Sequence, residues 1–408
     1  MSDTQKNKKP NVPNLRFPGF EGEWEQHLLS EYLDFKNGLN PSAKSFGEGI
    51  KFISVMDILN NPFITYDCIR ASVAATDKEK EEFCVECGDI LFQRSSETLE
   101  DVGHANVYLD NRPALFGGFT IRGKKKGEYN PLFFKYLLDS PSARKRVIVK
   151  GAGAQHFNIG QEGLSSVSLF FPAMQEQNKI AELLELLDQR IAIQNKVIED
   201  LKMLKATLSR KLLWDNPLLS KRVQLSNFGT LKNGYAFKSS EYIPESEFRI
   251  VTIANVTGER EISIKNCNTI HSLPRDIQEH QKLKPNDILV SLTGNVGRVS
   301  LCNLDGCLLN QRVGLLVLND DYLHEYIFQV LSDIRFLQSM INSGQGAAQM
   351  NIGKYDVESF FIPFSEDLNL LNKIADMLYS IDLRITQSMK DLLLIRKQKH
   401  YFLSNLFI

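Results

Sequence analysis

The sequence predicts an α/β protein made of two tandem copies of one module, the copies separated and followed by long α-helices that pair. Three observations predict it. The stretch from Gln175 to Leu213 contains no Gly or Pro and places Ile180, Leu184, Leu187, Ile191, Ile198 and Leu201 in alternating steps of four and three, apart from one polar position, Gln194. Such steps keep one apolar seam on one side of a helix. The stretch from Asn178 to Ile191 then recurs, without gaps, from Asn372 to Ile385, with eight of fourteen positions identical at a constant offset of 194. Finally, the segments ahead of the two helices share short markers in the same order. A repeat of this length signals two copies of a whole module rather than a solenoid.

The first helix is bounded by Pro172 and Pro217, placed where helices begin and stop. At about 1.5 Å per residue it is roughly 55–60 Å long. The second helix carries the seam through Ile374, Leu378, Ile381, Ile385, Leu392 and Ile395. Its polar seam position is Ser388, the counterpart of Gln194. Two readings are open: the pair faces each other and fixes register, as single buried polar residues do in helix pairs, or the two are partly exposed polar residues in an imperfect seam.

Residues 1–14 are polar, Lys-rich and broken by Pro10 and Pro13, and are expected to form a mobile tail. The aromatics of Leu15–Trp24 pin that tail to the first module, residues 15–172. Within it, Ile50–Val55 and Asp89–Gln93 read as strands. Pro131–Val147 reads as a helix, with Leu132, Phe133, Tyr136 and Leu137 at helical spacing. The first long helix takes residues 173–214, the second module 215–363 and the second long helix 364–408. Markers shared by the modules are Lys-Asn-Gly at Lys36 and Lys232, Asp-Ile-Leu at Asp89 and Asp287, and Asn-Ile-Gly at Asn158 and Asn351. The helix at Pro131 recurs near Leu323–Ile341. Between the markers the copies diverge, as expected of one scaffold presenting two different surfaces.

The chain of 408 residues has a net charge of −1. Nucleic-acid binding by bulk charge is therefore excluded, and local patches or partners must supply it. No apolar run approaches the roughly eighteen residues of a membrane span, and the first residues have no apolar signal core. Six cysteines are too sparse for a disulfide scaffold and fit a reducing cytoplasm. Cys84 and Cys87 lack the second ligand pair that zinc requires, so no metal is expected and buried free thiols are.

Catalytic motifs are missing. There is no phosphate-binding Walker loop, no His-Glu-x-x-His and no Gly-x-Ser-x-Gly. Asn130-Pro-Leu-Phe resembles an amino-methyltransferase motif only superficially, because Leu132 replaces its second proline. It reads as a helix start. Residue types suited to phosphates and base edges do collect in the repeated loops. In the first module these are Lys36, Asn37, Arg94, Ser95, Ser96, Arg122 and the lysines up to Lys126, Lys150, Gln155, His156 and Asn158. In the second they are Lys232, Asn233, Tyr235, Lys238, Thr293, Arg298, Gln311, Arg312, Gln345, Gln349 and Asn351. Arg144–Arg146 with Lys150 is the best local basic patch, and Lys124–Lys126 also reads as a solvated loop. Asn-Gly is also a common turn, so each of these residues has a purely local reading as well.

The chain resembles the specificity subunits of type I restriction–modification systems from about Leu15 to its C-terminus. The resemblance is carried by the opening Pro18–Trp24, the three pairs of markers, and Pro172–Ile180 at the head of the first helix. The second helix lacks the Glu-Gln pair of the first and has a longer lead-in after Pro363. The resemblance implies two target-recognition domains, each reading half of a bipartite, asymmetric double-stranded DNA site, and long helices paired as an antiparallel coiled coil that sets the spacing. It implies a non-catalytic chain that binds no cofactor. Two methyltransferase subunits would bind S-adenosylmethionine and methylate adenine, and restriction subunits would use ATP and Mg. The alternatives are a twin-module adaptor that binds protein, and an enzyme whose site follows no known motif.

Overall fold

The structure, a computed structural model, describes residues 10–153, 156–344 and 350–408. These form two compact units. One runs to Ile193 and takes in Leu392–Ile408, and the other comprises Gln194–Asp391. Each unit holds one module and a stretch of both long helices.

In the first unit a four-stranded antiparallel sheet runs in the order Leu33–Asn37, Thr120–Lys125, Ile90–Gln93, Ala105–Val107. Ile90–Gln93 is buried at every position, the signature of a strand covered on both faces. A second sheet contains Ser72–Val73, Phe46–Ile53, Ala114–Phe116 and Cys84–Val85, with one parallel pairing between Phe52–Ile53 and Leu115–Phe116. The leading strand Glu25–Leu28 pairs with the closing strand Ser168–Phe171, so the module returns to its starting point before the long helix begins.

The second unit repeats this plan. Its four-stranded sheet runs Gly229–Asn233, Val313–Leu318, Ile288–Ser291, Val299–Leu301. Its second sheet has five strands and again one parallel pairing, Arg249–Val251 with Cys307–Leu309. Lys221–Gln224 pairs with Phe361–Phe364 and closes the module.

The expected helix at Pro131–Val147 is two helices, Pro131–Asp139 and Pro141–Ile148. Pro141 has no N–H to continue the first, and Ser140 caps the second by accepting from the Ala143 N–H. The counterpart breaks likewise into His324–Leu331 and Ile334–Ser343, with Asp333 as the cap. Of the expected strand Ile50–Val55, residues 50–53 end the strand Phe46–Ile53, and a helix begins at Val55.

The first long helix is Met174–Ser209, continued by a wider turn through Trp214, and the second is Leu368–Asn405. Asn11 accepts from the Trp24 N–H at 2.9 Å, so the chain is already engaged within the stretch read as a tail. Trp24 is buried against Phe133 and Phe407, and Arg16 pairs with Glu176 at 2.7 Å. Gln177 accepts from the Asn130 N–H and donates to the Pro172 carbonyl, joining the start of the long helix to the start of the Pro131 helix. The second junction, which lacks the Glu-Gln pair, uses Asp367 to cap Leu370 instead.

Within each unit the helix stretches run antiparallel side by side. Asp188 meets Lys399 in the first unit. In the second, Gln194 Nε2 donates to the Ser388 carbonyl at 3.0 Å and Lys205 meets Asp382 at 2.6 Å. Gln194 and Ser388 do face each other, through the Ser388 backbone rather than its hydroxyl. Ile180, Leu184, Leu187 and Ile395 are buried in the first unit, with Ile191 and Leu392 half-buried. Ile198, Ile374, Leu378, Ile381 and Ile385 are buried in the second, with Leu201 half-buried.

The glycine of each Lys-Asn-Gly marker is required by close approach. A Cβ at Gly38 would lie 2.0 Å from the Gly117 carbonyl oxygen, and one at Gly234 2.3 Å from the Asn310 carbonyl. Gly38→Ala and Gly234→Ala are each expected to destabilise their module by about 1–3 kcal/mol, an overpacking cost, measured by chemical denaturation. Wild-type stability in both variants would contradict the packing argument.

Candidate nucleic-acid interface

The three repeated markers are largely scaffold. Asp89 accepts from the Glu86 and Lys125 N–H groups and closes the turn ahead of its strand, and Asp287 does the same with Lys284. Burial pushes the Asp89 and Asp287 carboxyls above their ordinary range, while these backbone donors oppose the shift. Ile159 and Ile352 of the Asn-Ile-Gly markers are core residues. The candidate surface is made by what stands beside the markers.

In the first unit several loops converge at one end of the four-stranded sheet. Arg94 accepts the Ile159 N–H on its carbonyl, takes the Phe119 carbonyl on its own N–H at 2.9 Å, and reaches the Gly118 carbonyl with its guanidinium at 3.3 Å. Ser95 and Ser96 pair in antiparallel register with Asn158 and Phe157, and the Ser95 hydroxyl donates to Asn158 Oδ1. Gly38 donates to the Thr120 carbonyl, which brings Asn37 to the same end. His156, Asn158 and Lys150 are exposed. Gln155 lies outside the described residues.

The second unit builds the same end with other side chains. Leu292 accepts from Ile352 where Arg94 accepts from Ile159, and Thr293 bridges Asn351 where Ser95 pairs with Asn158. The Gln311 N–H donates to the Tyr235 carbonyl, and Leu292 donates to the Arg312 carbonyl. Thus Tyr235, Thr293, Gln311, Arg312 and Asn351 come together. Tyr235 donates its hydroxyl to Asp276 at 2.8 Å, a hydrogen bond that raises the phenol above its ordinary range. Lys232, Asn233 and Lys238 are exposed nearby in sequence, and Arg298 is half-buried beyond the hairpin. Gln345 and Gln349 lie outside the described residues.

The hairpin between the central strands differs most. It is closed in both units by a glycine with positive φ, Gly103 at +69° and Gly297 at +77°, whose N–H donates back to Gln93 or Ser291. It spans residues 94–102 in the first unit and only 292–296 in the second.

Several sequence candidates do not present a free cation. Arg122 is 7% exposed, donates to the Cys84 carbonyl and stacks over Phe116. It is a buried residue of its strand, not the exposed cation that the sequence suggested. Lys36 pairs with Glu82 at 2.8 Å and covers the Phe83 ring. Lys124 and Lys126 pair with Glu86 and Asp34. The basic patch at Arg144–Arg146 is dispersed. Arg144 holds the Glu100 and Val102 carbonyls and Arg146 the Ser168 carbonyl, which leaves Lys145 and Lys150 exposed. The structure adds Asn40, against Gly118, and Phe119, 71% exposed at the turn beside Arg94. The Gly117-Gly118 pair ahead of Phe119 was the available signal for an aromatic lifted on a tight turn. Asp276 has no such signal, because its role follows from a contact 41 residues away.

Among the described residues no group of three or more His, Cys, Asp or Glu could hold a metal ion, and no helix is long and apolar enough to cross a membrane. All six cysteines are free. Cys302 and Cys307 are buried as expected of thiols that act as small apolar groups, but Cys87 is exposed.

The twin scaffold has a known counterpart. The type I restriction modification DNA specificity domain matches this chain twice, over residues 21–203 and 217–394. The chain belongs to the type I restriction–modification specificity-subunit family. It is 24% identical over 416 residues, 96% of this chain and 94% of the relative, to a Methanocaldococcus jannaschii protein assigned as the MjaX type I restriction enzyme specificity subunit. It is 22% identical over 419 residues, with the same coverage, to the type I restriction enzyme MjaVIII specificity subunit of that organism. The fold is shared with the S subunit of a type I system from M. genitalium, with a TM-score of 0.60 at 15% identity over 97% of this chain and 99% of that one.

The geometry separates the candidates by what they hold up. Arg122→Ala is expected to cost about 1–3 kcal/mol of stability through lost buried hydrogen bonding. Lys232→Ala on the exposed strand end should stay within about 0.5 kcal/mol. Denaturant melts of the two variants check this, and equal losses would contradict the assignment of Arg122 to the core.

Proposed function

We propose that this specificity subunit supplies the DNA address of a type I complex by reading a bipartite, asymmetric site, one half with each module. The two target-recognition domains are residues 15–172 and 215–363. The observation that carries the reading is that the two modules share one scaffold while the loops at the same end of the sheet carry different side chains. Arg94, Ser95 and Phe119 stand in one, and Tyr235, Thr293, Gln311 and Arg312 in the other, each beside the asparagine the modules share, Asn158 or Asn351. Two such surfaces read two different sequences.

The long helices act as the spacer and pair as an antiparallel coiled coil. A helix of about 1.5 Å rise per residue over this length is commensurate with successive major grooves, roughly 34 Å apart. Gln194 contributes to their register. Gln194→Leu is expected to lower the yield of complex assembled with methyltransferase subunits, and unchanged pairing and assembly would contradict that role. Apolar side chains left exposed along these helices, among them Ile193, Met203, Leu383 and Leu394, support docking of two methyltransferase subunits there. Those partners would carry S-adenosylmethionine and methylate an adenine flipped out of each half-site. Restriction subunits would carry ATP and Mg. This chain performs none of that chemistry. With a net charge of −1, it leaves part of the phosphate contact to its partners. The complex is placed in the cytoplasm, where its DNA is.

Sequencing of modified bases in cells carrying this chain with its methyltransferase subunit tests the reading. A split adenine-methylated site is expected, and an assembled complex that methylates no split site would contradict it. In the same complex, Lys232→Ala should weaken binding to all sequences alike and reduce the slope of log affinity against log salt by about 1. Asn351→Ala should instead cost about 1–3 kcal/mol at one base pair of one half-site.

A further inference from the structure

The repeat places two charged clusters at equivalent positions. In the first unit the Lys399 ammonium meets one oxygen of Asp188, and the other oxygen accepts from the Tyr136 hydroxyl at 2.8 Å. In the second unit the Lys205 ammonium meets one oxygen of Asp382 at 2.6 Å. The other Asp382 oxygen accepts from Gln329 Nε2 at 2.7 Å and is approached by Arg260 at 3.5 Å. Asp188 and Asp382 are separated by the 194-residue offset of the repeat, and so are Lys205 and Lys399. Each long helix therefore contributes one aspartate and one lysine, and each aspartate is met by the lysine of the other helix. Tyr136 and Gln329 are both the sixth residue of the module helix that follows the four-stranded sheet.

These pairs are withdrawn from water. The side-chain exposures are 13% for Asp188, 6% for Asp382, 18% for Lys399 and 20% for Lys205. A buried ion pair adds little net stability over an apolar one, but separating its partners leaves an uncompensated charge. It therefore acts as a filter on geometry. A slip of one helix along the other by a heptad would break both pairs together, along with the Gln194 contact to the Ser388 carbonyl. Apolar contacts discriminate weakly between such registers, and the ion pairs add charge to the discrimination that Gln194 begins. Each aspartate also holds a residue of its module, so the same carboxylate sets helix register and the seat of the module on the helix.

We propose that Asp188–Lys399 and Asp382–Lys205 are the spacing determinants of this specificity subunit: positioning residues that fix how many base pairs separate the two half-sites. The proposal rests on the half-site reading above. Its test uses the complex with the methyltransferase subunits and duplexes bearing the chain's own split site, with the native spacer or one base pair more or less. A wild-type complex with no spacing preference would overturn the half-site reading itself. Asp188→Asn and Asp382→Asn are expected to lower the preference for the native spacer about tenfold, a loss of about 1.4 kcal/mol in discrimination. Their preference against a single wrong base within either half-site should stay at the wild-type value, which a general loss of structure would not allow. The charge exchange Asp188→Lys with Lys399→Asp should restore assembly and spacing preference lost in Asp188→Lys alone. Full spacing preference in the asparagine variants, loss of base and spacing preference together, or failure of the charge exchange to restore Asp188→Lys would each overturn the proposal.

Discussion

Each module's apolar core is completed by the long helices. In the first unit Ile180, Ala181, Leu184 and Leu187 of one helix and Ile395, Leu406 and Phe407 from the C-terminal end of the chain pack into the cluster that holds Trp24, Phe133, Phe134 and the central strand. In the second, Leu371, Ile374, Ala375 and Leu378 join Tyr326, Phe328, Phe336 and Ile288. Burial of one leucine or isoleucine side chain stabilises by about 1.5–3 kcal/mol. A module stripped of these helical residues would expose several such side chains at once. The helices are thus structural parts of both modules, and whatever constrains the helix pair constrains the seat of each reading surface.

That dependence explains what was legible in the sequence. A seam shared between helix partner and module core tolerates little change, so Ile180, Leu184, Ile374 and Leu378 keep their spacing in both copies and the duplication stands out. The glycines of the Lys-Asn-Gly markers are held by the carbonyl groups they approach, and the isoleucines of the other markers by the core. The scaffold therefore announces itself. The break at Ser140–Pro141 was written in the sequence as well, as a cap followed by a proline, but helical spacing on either side concealed it.

The candidate surface was less legible, for a physical reason. Nothing local separates a cation that faces solvent from one that serves the fold. Arg122 lies among the first four residues of its strand, all of them buried. Arg144 and Arg146 lie on a helix whose neighbouring loops present carbonyl groups, and their charges are used there. Lys36 meets a glutamate 46 residues away. Each outcome depends on a tertiary partner. Asn158 and Asn351 were found because they belong to a marker, whereas Phe119 and Asp276 belong to none. The result is a division of labour along the sequence: most repeated residues build the frame, a repeated asparagine stands on each surface, and the non-repeated residues beside it differ between modules, as two half-sites require.

On the proposed function the two modules read independently on a common frame. Exchange of residues 221–363 for the corresponding segment of another family member, followed by sequencing of modified bases in cells that also supply the methyltransferase subunit, tests it most directly. Independent readers give a split site in which one half changes and the other half is retained. A site altered in both halves would contradict it, because the modules would then not be separate readers.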